Sequence, residues 1–324
     1  MADHDSEAGG EAAEQHSPAE ETESMPTDDH KELSLVDTEA VDVDLNHCRI
    51  EKIEFLERLR HLEVRATLCL RQNLIKRLEN LDCAVTLKEL DLYDNQISDI
   101  ENLNALVNLE VLDLSFNRIK QIKGLDRLVK LKKLFLVNNK ISKIENLSSL
   151  CNLEMLELGS NKIRVIENLN GLFKLKSLFL GKNKIVRLEN LDVLISLEVL
   201  SIQSNRIVKL SGLDKLINLD QLYISQNGIE KIENLNNNIK LHTVDLATNR
   251  IKKLENLSHL PEMEELWINH NQIDDWNDLN ELITIKTLIT VYFEGNPIQK
   301  DPMYRRKIMT LLPQVSQIDA TLCK

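Results

Sequence analysis

The sequence predicts a solenoid of the α/β class, built from about twelve stacked coils of roughly 22 residues each, on three observations. First, the pattern Leu-x-x-Leu-x-Leu-x-x-Asn-x-Ile recurs along the chain, as between Leu87 and Ile97. Second, its asparagine returns ten times at one fixed spacing, as Asn73, Asn95, Asn117, Asn139, Asn161, Asn183, Asn205, Asn227, Asn249 and Asn271. Third, 42% of the chain is apolar but only 4% is aromatic, which fits thin layers of Leu and Ile. The predicted fold is therefore a leucine-rich-repeat solenoid.

Each coil is expected to contribute one short strand to a parallel sheet on the concave side. The Leu-x-Leu alternation turns two leucines inward and the residue between them outward. No single coil can bury its Leu and Ile residues alone, so the coils must stack. The recurring Asn can both donate and accept hydrogen bonds, and it is predicted to form a ladder that satisfies backbone groups inside the stack.

The convex wall is expected to consist of short 3-10 turns and extended chain, since a coil this short leaves no room for a full helix. The triplet Glu-Asn-Leu recurs here in seven of the ten strict repeats, for example at 79–81 and 255–257. It could be a charged motif, but the structural interpretation is favoured, in which Asn starts a turn and Leu enters the core.

Both ends of a solenoid need caps, and the chain divides accordingly. Residues 1–40 form an acidic tail, 41–298 the repeat solenoid and 299–324 a C-terminal cap. In the cap, Asp301 is predicted to begin a helix whose first residue is Pro302 and which stops at Pro313. Val315 and Ile318 should then close over the last coil, and the segment 41–53 should cover the other end.

The net charge of −12 belongs entirely to the tail. Residues 1–40 hold 13 acidic residues and one lysine, whereas the remaining chain holds 39 acidic and 39 basic residues. The tail has too few large apolar residues to offset the entropy of ordering, so it is expected to be disordered. The start of the chain predicts no secretory signal, and no stretch is apolar enough for a membrane span. Five cysteines without Cys-x-x-Cys spacing predict neither disulfides nor a zinc site, and favour a reducing compartment.

The residues four before each ladder Asn, together with the equivalent residue of the last coil, Tyr292, should form the central column of the concave face. Five of the chain's twelve aromatic residues and four carboxylates fall among the eleven positions, and none of the eleven is basic. The column contains Cys69, Asp91, Asp113, Phe135, Glu157, Phe179, Ser201, Tyr223, Asp245, Trp267 and Tyr292. Such side chains could simply stiffen the sheet by packing on one another. Aromatic anchors interleaved with carboxylates are more typical of an interface with a folded protein.

Other classes of function have little support. An acidic column argues against nucleic acid, whose phosphates require Lys and Arg. The sequence has no phosphate loop, no His-Glu-x-x-His and no Gly-x-Ser-x-Gly motif, so no catalytic residue, metal site or cofactor is predicted.

The combination of this repeat length with Glu-Asn-Leu triplets resembles the leucine-rich-repeat regulatory subunits of protein phosphatase 1. The resemblance spans about 41–324 and is carried by ELDLYDNQI at 89–97, KKLFLVNNKISKIENLS at 132–148, NPIQKDPMYRRK at 296–307 and the closing QIDAT at 317–321. It implies a non-catalytic protein of nucleus and cytoplasm, a monomer within a hetero-complex, with neither nucleic acid nor membrane as a partner. Such a protein binds the phosphatase catalytic subunit on its concave face and modulates its activity, including in mitosis. By motif, the implied contact residues are Asp113, Phe135, Glu157, Phe179, Asp245, Glu265, Trp267 and Tyr292.

Two alternatives stay open at this point. The chain could be a repeat adaptor for a different partner, such as a ciliary, splicing or ubiquitin-ligase scaffold. In addition, the sequence from Lys52 to Phe55 fits the short Lys/Arg-Val/Ile-x-Phe peptide with which many partners dock on phosphatase 1. Because Ile53 is predicted to lie in the core of the first coil, this peptide should not be free to add as a strand.

Overall fold

The computed structural model describes residues 42–54 and 67–323, so the tail and residues 55–66 lie outside this range. The described residues form one 14-stranded sheet in which the strands follow one another in chain order. The strands are β1 (Asp42–Asp44), β2 (Thr67–Cys69), β3 (Glu89–Asp91), β4 (Val111–Asp113), β5 (Lys133–Phe135), β6 (Met155–Glu157), β7 (Ser177–Phe179), β8 (Val199–Ser201), β9 (Gln221–Tyr223), β10 (Thr243–Asp245), β11 (Glu265–Trp267), β12 (Thr290–Tyr292), β13 (Gln317–Ile318) and β14 (Thr321–Leu322).

The first twelve strands run parallel, one to a coil, which confirms the predicted solenoid. Neighbouring strands pair in strict register, so that Leu90 lies opposite Leu112 and Leu112 opposite Leu134. The central residue of each strand is buried, and the residues on either side of it point away from the core. The Leu-x-Leu alternation therefore places its leucines as expected.

The core consists of stacked layers of Leu and Ile between the sheet and the convex wall. In the coil of Asn95, Ile97 and Leu103 are fully buried and Ile100 is 1% exposed. The same positions are buried in coil after coil, because each layer is covered by the next. Truncating one of these leucines to alanine costs about 2–5 kcal/mol in a well-packed core.

The asparagine ladder is present, and it has a direction. Asn95 Oδ1 accepts the backbone N–H of Ile75 in the preceding coil at 3.1 Å. Its Nδ2 donates to the carbonyl of Leu70, also in the preceding coil, at 2.9 Å, and to its own Leu92 carbonyl at 3.1 Å. Each ladder Asn thus supplies hydrogen bonds that the coil before it lacks.

The Glu-Asn-Leu triplet has the structural role predicted for it. Asn102 adopts a left-handed backbone with φ 57°, and its Nδ2 donates to the carbonyl of Leu78 at 2.7 Å. Asn is among the few residues that tolerate this conformation. Two coils that lack the triplet carry glycine here instead, Gly124 with φ 68° and Gly212 with φ 65°. The triplet is therefore a turn signal.

The convex wall consists of extended chain and isolated turns, such as the bond from the Leu106 N–H to the Leu103 carbonyl at 3.0 Å. These i to i+3 bonds are the short 3-10 turns that were expected. Among the described residues, continuous 3-10 helices occur at Trp276–Leu282 and Pro297–Lys300.

The C-terminal cap combines a helix with a hairpin. The helix, Tyr304–Leu311, begins two residues later than predicted, because Pro302 lies in a turn in which Asp301 Oδ1 accepts the Met303 N–H at 2.8 Å. Strand β13 extends the parallel sheet and β14 folds back on it antiparallel, a hairpin that the sequence did not predict. Val315 and Ile318 are buried against the last coil, as expected. At the other end, β1 pairs with β2, and Val43 and Ile53 are buried.

Candidate functional site

The predicted concave column exists as a continuous row of side chains. Each member is the last residue of a three-residue strand, and the pairing register places it beside its neighbours at the ~4.8 Å strand spacing. The pattern from Cys69 to Tyr292 holds across eleven successive strands, β2 to β12.

The eight predicted contact residues form two clusters, and all of them except Glu265 belong to this row. Cluster A consists of Asp113, Phe135, Glu157 and Phe179, which are paired in unbroken register on β4 to β7. Cluster B consists of Asp245, Glu265, Trp267 and Tyr292 on β10 to β12. Glu265 begins the strand that Trp267 ends, so both point away from the core. Ser201 and Tyr223 separate the clusters, and Tyr223 is an aromatic column member that was not among the predicted contacts.

The aromatic members differ in exposure. Trp267 is 37% exposed, whereas Phe135, Phe179 and Tyr292 are partly buried. Trp267 packs on Tyr292 with ring centroids 5.4 Å apart and the rings tilted by 47°. The Tyr292 hydroxyl in turn accepts a hydrogen bond from Gln317 Nε2 in the cap at 3.0 Å. Cluster B is therefore held by the cap as well as by the sheet.

The column aspartates have a structural role that the sequence interpretation missed. Asp113 Oδ1 accepts the N–H of Ser115 at 2.8 Å, and Asp245 Oδ1 accepts that of Ala247 at 3.0 Å. Asp91, outside the predicted set, makes the same bond to Tyr93 at 3.0 Å. Such bonds to the residue two positions on are typical of Asx turns, and here they end the strand.

Burial changes the acidity of these carboxyl groups. Loss of hydration raises the pKa of Asp113 and of Asp245, although the backbone bonds to Ser115 and Ala247 oppose the shift. Glu157 also has a raised pKa, chiefly through burial and further through the nearby Asp113 charge. The concave face therefore holds negative charge that is poorly hydrated and would be stabilised by a cation from a partner.

The docking-peptide match at Lys52 to Phe55 has a different environment from that of a free peptide. Ile53 is fully buried, and its carbonyl accepts a hydrogen bond from Asn80 Nδ2 at 2.6 Å. Phe55 lies outside the described residues. Because Ile53 is part of the first coil, this segment cannot add as a strand to a partner without disrupting the coil.

No grouping of His, Cys, Asp and Glu within the part of the chain that the structure describes could hold a metal ion. Nor does any helix in this part have the length and apolar character needed to cross a membrane.

Comparison with known proteins agrees with the architecture. Family models described as "Leucine Rich repeats (2 copies)" and "Leucine-rich repeat" match residues 85–127 and 215–324. A solved internalin of Listeria monocytogenes superposes with a TM-score of 0.69 at 26% identity, covering 87% of either chain. The chain is a leucine-rich-repeat solenoid.

This solenoid also has curated relatives named "Protein phosphatase 1 regulatory subunit 7". That of Xenopus tropicalis is 60% identical over 57 residues, 18% of this chain and 16% of the relative. That of Danio rerio is 67% identical over 39 residues, 12% and 11% of the two lengths. These matched segments support the resemblance, but they span less than a fifth of each relative.

Proposed function

We propose that this solenoid is a non-catalytic regulatory subunit that binds the catalytic subunit of protein phosphatase 1 on its concave face. It modulates the activity of that enzyme, including in mitosis, and acts in nucleus and cytoplasm as a monomer within a hetero-complex. One observation carries the proposal: seven of the eight contact positions implied by the family resemblance lie in one continuous column, and the eighth, Glu265, lies on the same strand as Trp267.

The dimensions of the site favour a folded protein. From Asp113 on β4 to Tyr292 on β12 there are eight strand steps, about 38 Å at ~4.8 Å per step. Two clusters joined across this distance suit a partner that touches both at once. A small molecule would occupy a closed pocket, whereas the column is an open strip of side chains.

The chemistry of the site favours a partner whose contact surface is apolar and basic. Rigid aromatic rings such as Phe179 and Trp267 provide contact area at little cost in conformational entropy. The poorly hydrated carboxylates of Asp113 and Glu157 gain most from Lys or Arg side chains on the partner. The same negative charge disfavours nucleic acid.

The test is truncation of one aromatic residue in each cluster. Phe179→Ala and Trp267→Ala, four strand steps or about 19 Å apart, should each weaken binding at least ~30-fold, which corresponds to about 2 kcal/mol. Isothermal titration calorimetry with the purified catalytic subunit measures this. The matched control is Phe173→Ala, since Phe173 is 54% exposed but lies in the turn before β7, outside the column.

The expected result is loss of affinity in both cluster variants, with parental binding by the Phe173 variant and melting temperatures close to the parent. Parental affinity of both cluster variants would contradict the concave-face proposal. Loss of the fold together with binding would mean that the rings only stiffen the sheet. A parent chain that does not bind the catalytic subunit would favour an adaptor for another partner.

A further inference from the structure

Phe116 has a backbone conformation that is unfavourable for its side chain. It stands directly before the ladder residue Asn117 and has a left-handed φ of 55°. The nine equivalent residues are also left-handed, but they are polar, namely Gln72, Asp94, Asn138, Ser160, Lys182, Ser204, Gln226, Thr248 and His270. The hydrogen bonding between coils imposes this conformation, because the Phe116 N–H donates to the Val137 carbonyl of the next coil at 2.7 Å. The left-handed backbone is therefore a feature of the repeat, and a bulky aromatic residue is strained in it where Asn or Asp would not be.

The ring of Phe116 is also left in contact with solvent. It is 39% exposed, so it contributes little to the core. It packs against Tyr93 with ring centroids 4.8 Å apart and the rings tilted by 45°, and the Arg71 guanidinium lies 4.6 Å from the centre of the Tyr93 ring. Arg71 Nε is itself 3.5 Å from the Asp91 carboxylate. The side chains of Arg71, Tyr93 and Phe116 thus form a continuous surface that we call the aromatic stack.

The aromatic stack lies beside the N-terminal part of the concave column, just after strands β2 to β4. Tyr93 follows the column residue Asp91 by two positions, and Phe116 follows Asp113 of cluster A by three. Two carboxylates stand on the same coil as Tyr93: Asp91, which is paired with Arg71, and Asp94, which is exposed. An apolar ring edged by negative charge suits an apolar side chain next to a Lys or Arg.

We infer that the aromatic stack of Arg71, Tyr93 and Phe116 is a third anchor for the same partner, contacting an apolar side chain flanked by a basic residue. This inference rests on the proposed function, since continuity with cluster A identifies the occupant. It explains why an exposed, strained phenylalanine stands where nine other coils carry a polar residue. Arg71 packed on Tyr93, and Tyr93 on Phe116, also match the residue types that are enriched in interface anchors.

The test is Phe116→Asn, which removes the ring and installs the residue type that Asn138 supplies at the same position of the next coil. Because Asn tolerates the left-handed backbone, the variant should melt at or above the parental temperature. Its affinity for the purified phosphatase 1 catalytic subunit should fall about tenfold or more in calorimetry. Ser160→Asn is the matched control, with the same conformation but no contact with the aromatic stack, and it should bind like the parent.

The outcomes separate the two proposals. Parental affinity of Phe116→Asn, alongside weakened Trp267→Ala, would overturn the third anchor while leaving the concave-face proposal intact. A clear fall in the melting temperature of Phe116→Asn would show that the ring stabilises the fold, and this too would overturn the inference. A parent chain without affinity for the catalytic subunit would overturn both proposals together.

Discussion

Removing one ladder asparagine should destabilise the coil that precedes it. In the coil of Asn161, the side-chain oxygen accepts the N–H of Ile141 at 3.0 Å, and Nδ2 donates to the Leu136 and Leu158 carbonyls at 2.9 and 3.1 Å. In Asn161→Ala the two carbonyls keep partners, because Asn139 also donates to Leu136 and Asn183 to Leu158. The Ile141 N–H is left without an acceptor.

The magnitude follows from these bonds. One buried donor without a partner costs about 1–3 kcal/mol. The lost hydrogen bonds from Asn161 Nδ2 to the Leu136 and Leu158 carbonyls add about 1 kcal/mol more. We therefore expect Asn161→Ala to lower the free energy of unfolding by about 2–4 kcal/mol in urea titrations followed by circular dichroism. Hydrogen exchange at the Ile141 amide should accelerate as well.

The matched control is Asn152→Ala in the same coil. Asn152 donates to the Val129 carbonyl at 2.9 Å but is partly exposed, so water can replace it. Its loss should cost less than ~1 kcal/mol. Equal costs for the two variants, or unchanged exchange at Ile141, would refute the idea that the ladder satisfies buried backbone groups.

Two further predictions concern charge. Burial raises the pKa of Glu157 above its ordinary value of 4.5, so the folded protein binds this proton more tightly than the unfolded chain does. The resulting stabilisation is present below pH 4.5 and is lost as the pH rises through the raised pKa. Glu157→Gln should therefore melt higher than the parent at pH 7, with the difference shrinking towards pH 4.5, in thermal scans across that range. Deletion of residues 1–40 should leave the melting temperature within a few degrees and the affinity for the phosphatase within about threefold, by scanning and titration calorimetry, and a tenfold loss of affinity would place part of the interface in the tail.

The repeat made the core and the column predictable from sequence, because a fixed period assigns the same environment to every equivalent position. Once Leu90 and Leu92 are inside, Asp91 must be outside, and no long-range information is needed. The cap was harder, since Pro302 is compatible both with a first helical turn and with the turn that precedes one.

The dual role of the aspartates could not be separated in sequence either. A carboxylate at the end of a strand is equally compatible with an Asx turn and with a partner contact, and Asp113 shows the first in its bond to Ser115. Phe116 was not predicted as a functional residue, because its left-handed backbone is imposed by bonds to the next coil. The available signal was that it alone is apolar among the residues preceding the ten ladder asparagines.

The direction of the asparagine ladder has a consequence for synthesis. Asn296 Oδ1 accepts the N–H of Ile273 in the coil before it. The carboxylate of the cap residue Asp319 accepts the N–H groups of Phe293 and Glu294 in the last coil. Every coil is thus completed by residues that the ribosome adds later. On a growing chain, the most recently synthesised coil lacks these hydrogen bonds until the next coil has been made. The solenoid can therefore become fully hydrogen-bonded only in the part of the chain that precedes that coil. Asp319 provides these hydrogen bonds for the last coil from the cap, where no further coil is needed to supply them.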